Sequence, residues 1–205
     1  MTRIVKKPDK RRQEIIAAAR EIFQKKDYKS TTMQDIMDTL GIAKGTIYHY
    51  FKSKEDLLEA IISNTVDQYI AKLKKVLDET EGSGLDKMRA LIISGNVEQQ
   101  HKEILEHLHH PSNIGLHTRQ LAVTLLRLAP LHATAIQQGC EEGIFKTEHP
   151  LESAEFLLAG IQFLTDTGFY PWRNEDLMRR AMAIPSLIEA QLNAPKGSFN
   201  FLVGQ

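Results

Sequence analysis

Cysteine is nearly absent from this chain. Cys140 stands alone among 205 residues, so no intrachain disulfide can form and a reducing compartment is the simplest setting. Long apolar runs are missing too, since nothing approaches the roughly 20 residues that a bilayer-spanning helix needs. The basic N-terminus has no apolar stretch behind it and is not expected to be a signal peptide. No Gly-rich phosphate loop, nucleophile elbow, HExxH pair or ligand-spaced carboxylate set occurs, which leaves an enzyme only the route of a site built from scattered residues. Net charge is also lacking, with 26 Lys and Arg against 26 Asp and Glu. Taken alone, that balance argues against nucleic acid as a partner.

The distribution of charge points the other way. Residues 1–54 carry 13 Lys and Arg against 6 acids, a formal +7, which leaves −7 for residues 55–205. A basic module joined to an acidic body is the electrostatic footprint of a DNA-binding head on a domain that does not itself bind DNA. The length is ample for buried cores in both. The first stretch, MTRIVKKP, is basic and poor in apolar residues; a phosphate-contacting arm and a solubilising tail both fit it.

The chain is organised around Thr31 to Leu58. Thr32 and Asp35 have the spacing of a capping box, and Met33, Ile36, Met37 and Leu40 follow on one helical face. Gly41 comes where a left-handed residue ends a helix at least cost. Ile42 and Ile47 then anchor a second short helix, and Ser53 with Asp56 makes a second capping box. Two short helices about a glycine turn are the helix-turn-helix layout, whose second helix lies in the major groove. Lys44, Thr46, Tyr48, His49, Tyr50, Lys52 and Lys54 supply cations, hydroxyls and aromatic surface suited to phosphates, base edges and sugars. A support helix from Asp9 to about Lys26 carries Ile15, Ala18, Ala19, Ile22 and Phe23 on one face.

Residues 10–60 resemble the N-terminal domain of the TetR/AcrR transcriptional regulators, most specifically in the run GIAKGTIYHYFKSKEDLL from Gly41 to Leu58. The resemblance implies that Lys44, Gly45 and Thr46 open a recognition helix facing the groove. It implies that Tyr48, His49 and Tyr50 contact backbone and base edges, that Lys54 meets a phosphate, that Gln34 reads a base, and that Thr32 adds a phosphate contact to its capping role. Phe51 and Ile47 are expected in the core. Beyond about residue 70 the likeness is one of helical layout and length.

The rest of the chain reads as helix throughout, with no alternating strand pattern. One long helix is expected from Ser53 to about Thr80, ended by Gly82-Ser83-Gly84. Shorter ones follow over Leu85–Gly95 and Val97–His109, with a break at His110 to Asn113. A long helix over His117–Gly143 should pass through Pro130, because the apolar period resumes beyond it. The last two helices are expected over Leu151–Gly168 and Glu175–Leu192. Seven of eight histidines lie between residues 101 and 149, yet of His101, His107, His109 and His110 only His107 and His110 share a helical face, and Pro111 interrupts immediately after them. Neither a metal nor a cofactor is expected. Cys140 reads as a small buried hydrophobe better than as a thiol sensor. Arg119, Arg127, His132 and Asp166 flank apolar stripes and, with the aromatics Phe163 and Tyr170, are candidate effector contacts.

The expected architecture is all-α: a helix-turn-helix domain with a basic arm over residues 1–54, then a helical effector-binding and dimerisation domain over 55–205. The resemblance implies a cytoplasmic homodimer that binds a palindromic operator in double-stranded DNA and is released by a small-molecule effector, most simply as a repressor. Pairing of the last two helices with their copies and burial of the same faces in a monomer core are both open on the residues alone. A helical interaction protein, or a helical enzyme with a scattered site, is the alternative.

Overall fold

The computed structural model describes residues 8–26, 28–95, 109 and 114–204. The expected N-terminal arm, the helix over 97–109 apart from His109 itself, and the break at 110–113 lie outside the described residues. Among the described residues there are eight α-helices and no strand. They are α1 (Pro8–Lys26), α2 (Met33–Leu40), α3 (Lys44–Tyr50), α4 (Lys54–Glu79), α5 (Gly84–Ser94), α6 (Ile114–Glu141), α7 (Pro150–Thr165) and α8 (Asn174–Leu192), followed by a 3₁₀ turn at Asn200–Val203. Two compact units divide between Asp67 and Gln68, within α4.

The first unit holds α1 to α3 and the first half of α4. Its core is the apolar stripe of each helix: Ile15, Ile16, Ala19 and Phe23 from α1, Ile36 and Met37 from α2, Ile47 from α3, Phe51, and Leu57, Leu58, Ile61 and Ile62 from α4. Ile16 is buried where the helical period points to its neighbours. Ala18, Ile22, Met33 and Leu40 are half-buried at the rim. Arg20 Nη2 bonds Asn64 Oδ1 at 2.9 Å and Thr65 Oγ1 at 3.1 Å, tying α1 to α4.

The second unit packs α5 to α8 and the end of α4 around Leu73, Leu77, Met88, Leu91, Leu128, Ile136, Phe145, Ile188 and Phe199. The backbones of α5 and α6 come so close that a Cβ on Gly84 would stand 2.3 Å from the Gly139 nitrogen. A Cβ on Gly139 would in turn meet the buried Phe145 ring at 2.3 Å. Helix α6 runs through Pro130 without ending, as its apolar period requires. Helix α7 stops at Thr165 rather than Gly168, because Asp166 leaves the helical conformation and its Oδ1 accepts the Gly168 N–H at 2.7 Å. The C-terminal tail docks. Phe199 is fully buried and faces Phe145, while Glu189 Oε1 accepts the N–H groups of Gly197 and Phe199. Cys140 is half-buried, its thiol directed at the Thr147 carbonyl.

Candidate nucleic-acid interface

Local chemistry builds the α2–α3 corner. Thr32 Oγ1 accepts the Asp35 N–H and the Asp35 carboxylate accepts the Thr32 N–H at 2.7 Å, a complete capping box. The same carboxylate takes the Lys26 ammonium at 2.7 Å, which binds α1 to the start of α2. Hydrogen bonding from Lys26, then from Thr32, holds the Asp35 carboxyl below its ordinary range. Gly41 closes α2 at φ 60°, and the Ile42 N–H reaches the Met37 carbonyl at 3.1 Å. In that left-handed turn glycine has no Cβ to clash. At the start of α4, Asp56 N–H bonds Ser53 Oγ, but the Asp56 carboxylate reaches back to the Lys52 N–H at 2.8 Å instead of Ser53. The second box is thus opened by one residue.

One side of α3 is locked and the other is free. Ile47 is 0% exposed and Phe51 1%, whereas Lys44, Gly45, Tyr48 and His49 face solvent. Thr46 and Tyr50 are half-buried. The Lys44 ammonium lies 5.8 Å from the Tyr48 ring centroid, and His49 meets Tyr50 edge-on at 5.0 Å. A Cβ on Gly45 would meet nothing within 4 Å, so this fold has no packing need for a glycine there. The N-cap is Ala43, which has no side chain able to cap the first N–H groups of α3.

Thr32 and Gln34 are exposed at the start of α2, with the Gln34 amide bonded to Asp38 at 2.7 Å. Lys54 is differently engaged. Its ammonium donates to the carbonyls of Tyr28 at 2.9 Å and Thr31 at 3.0 Å and sits 4.2 Å from the Tyr28 ring centroid. Burial, followed by the neighbouring Glu55, pushes the Tyr28 hydroxyl well above its usual pKa.

In the second unit the six candidate effector residues are spread over α6, α7 and the turn after α7. Arg119 and Arg127 are exposed on α6. His132 is buried in the same helix, its Nδ1 3.1 Å from the Leu128 carbonyl, and burial lowers its pKa. Phe163 and Tyr170 meet edge-on at 5.5 Å, and Phe163 touches Phe169, which stacks on His117 at 4.9 Å. Asp166 Oδ2 lies 3.0 Å from His117 Nε2, and its Oδ1 lies 3.7 Å from His109 Nε2. Spacing along the sequence does not single out His117, because its partner arrives from the far end of α7. An apolar groove of about 650 Å³ runs between α7 and α8, lined by Phe156, Leu157, Ile161, Ile184 and Leu187 among others. None of the six candidates lines it.

A capped helix-turn-helix with a basic, aromatic outer face, with no strand among the described residues, defines the class of helix-turn-helix DNA-binding regulators. Comparison with known proteins specifies it further. A family model for bacterial regulatory proteins of the tetR family matches residues 15–61, and a model of the tetracyclin repressor-like C-terminal domain matches residues 92–186. The chain belongs to the TetR family of transcriptional regulators. It is 33% identical over 100 residues to the HTH-type transcriptional repressor KstR2 of Mycolicibacterium smegmatis, a match that covers 48% of each chain. The KstR2 repressor of Mycobacterium tuberculosis is 24% identical over 152 residues, covering 72% of this chain and 76% of that one. The chain thus spans about half of the first relative's length and three quarters of the second's. Among solved structures, a TetR-family regulator from Mesorhizobium loti superposes with a TM-score of 0.64 at 22% identity over 91% of this chain and 98% of its own. One from Pectobacterium atrosepticum gives 0.66 at 18% identity over 93% and 100%. These last two likenesses establish the fold.

Proposed function

We propose that the outer face of α3 reads the major groove of a palindromic operator, and that the chain acts there as a homodimeric repressor released by a small-molecule effector. The observation that carries this reading is the division of α3 into a locked face and an open one. Ile47 is buried against the head, while Lys44, Tyr48 and His49 are presented to solvent. Rigid presentation of cations, hydroxyls and aromatic edges is what base and phosphate readout needs. Thr46 and Tyr50 add hydroxyls at the edge of that face, and Gly45 lets the helix start approach a phosphate closely. Thr32 and Gln34 extend the contact along α2. Lys54 is assigned to positioning, since its ammonium is held by the carbonyls of the α1–α2 connection.

Dimerisation is supported by α7 and α8. Phe156, Phe163, Leu164, Met178, Met182 and Leu187 are all exposed there, an apolar area of the kind that marks an interface. Paired with a second copy, these helices make a four-helix bundle. Two heads then address half-sites about 34–36 Å apart, and an effector acts by favouring a state with different spacing, in proportion to its differential affinity. Among the six candidate effector contacts, Phe163, Asp166 and Tyr170 form one cluster and are the first to test, ahead of Arg119, Arg127 and His132. No helix of the described residues is long and apolar enough to cross a membrane, in keeping with a cytoplasmic site of action.

Selection of the chain against a random duplex library at near-physiological salt tests the proposal. A palindrome should be enriched, and Lys44→Ala and Tyr48→Ala should each weaken binding to it at least tenfold while leaving the oligomeric state unchanged. Failure to enrich any sequence would favour a helical interaction protein instead.

A further inference from the structure

We propose that His109, His117 and Asp166 form a binding site for one divalent first-row transition-metal ion, with Zn²⁺ the best-fitting occupant. The three side chains come from separate places: His109 from before α6, His117 from its first turn, and Asp166 from the turn that ends α7. Their nearest ligand atoms all lie within 4.8 Å of one another. Two imidazoles and a carboxylate are a donor set that suits zinc and its neighbours rather than calcium or magnesium, which take oxygen donors.

Two of the donor separations bracket the value that a shared ion requires. Donors about 2.1 Å from a tetrahedral metal stand roughly 3.4 Å apart. Asp166 Oδ2 to His117 Nε2 is 3.0 Å, and Asp166 Oδ1 to His109 Nε2 is 3.7 Å. The first distance also makes a hydrogen bond, but the second is too long for one. Both Nε2 atoms face the same carboxylate.

The surroundings hold the set in place. The Gly168 N–H fixes Asp166 Oδ1 at 2.7 Å, and Phe169 stacks nearly parallel on His117, 10° between planes. A Cβ on Gly168 would lie 2.5 Å from His109 Cδ2, so the glycine admits that ring. Orienting contacts of this kind are what metal ligands acquire from their neighbours. The side chains of His117 and Asp166 are 3% and 9% exposed, and that of His109 is 27%. Water and its competing hydration are therefore largely kept from the two inner donors. Three protein donors leave one tetrahedral position for water or an anionic ligand. The test of metal binding does not depend on DNA binding by the head.

The test uses the full chain without a histidine tag, stripped by chelator and dialysed. Calorimetric titration with Zn²⁺ should give one ion per chain. His109→Ala and Asp166→Asn should each weaken it at least tenfold, while His149→Ala, an exposed histidine outside the cluster, should not. Co²⁺ should give a visible absorption band that the parent chain shows and His109→Ala lacks. His109 is partly exposed, so its variant keeps the test decisive even where Asp166→Asn fails to fold. Absence of saturable binding, or binding unchanged in His109→Ala, would overturn the assignment.

Discussion

Replacing Lys54 by Met separates two roles for one residue. The family resemblance places Lys54 against a DNA phosphate, whereas the fold gives its ammonium to the Tyr28 and Thr31 carbonyls and to the Tyr28 ring. Methionine keeps the length and apolar stem of the side chain and removes only the charge and donors. Hydrogen bonds to a charged group are worth about 1.5–3 kcal/mol each, and a cation over an aromatic face adds roughly 0.5–1 kcal/mol. Both carbonyls lie in part-buried surroundings. Water replaces some of the loss there, so Lys54→Met should cost about 2–3 kcal/mol. For a chain of this size that lowers the melting midpoint by roughly 5–10 °C. Urea unfolding of parent and variant, followed by circular dichroism, measures the difference as a fall in midpoint at constant slope. A variant that melts with the parent but binds DNA more weakly, with a salt dependence reduced by about one phosphate contact, would refute the clamp and restore the phosphate role.

The same geometry sets three further outcomes. Gly139→Ala puts a methyl into the Phe145 ring, and since Phe145 is itself buried the overpacking should cost about 1–3 kcal/mol, read by the same urea series. Gly45→Ala adds a methyl in open space and should raise stability by about 0.5 kcal/mol through helix propensity, while weakening operator binding; a loss of stability would contradict it. Acid should destabilise the second unit through His132, whose folded-state pKa burial holds below its ordinary value. The unfolded chain then binds the extra proton first, so stability is full above about pH 6.5 and falls as pH drops below it, by at most about 1.4 kcal/mol per pH unit. Melting at stepped pH should show that slope reduced in His132→Leu. A slope identical to the parent's would exclude His132 as its source.

The amino-acid sequence by itself determined the head. Capping at Thr32, the left-handed stop at Gly41 and the apolar period of α1, α2 and α4 are interactions between residues three or four apart, and such interactions can be read along the chain. The same period carried α6 through Pro130 and placed each long helix of the body to within a few residues. The family resemblance, rather than this period, assigned Ile47 and Phe51 to the interior and Lys44, Tyr48 and His49 to the side that faces the groove. Tertiary structure alone decided what side chains do across distance. Lys54 is engaged by carbonyls far back in the chain, Asp166 breaks α7 early and meets His117 and His109, and the tail seats Phe199 against Phe145. No local spacing rule can see such partners. Helical periodicity gives the direction of a side chain about its own axis, and only packing of one helix on another says which group it will find there.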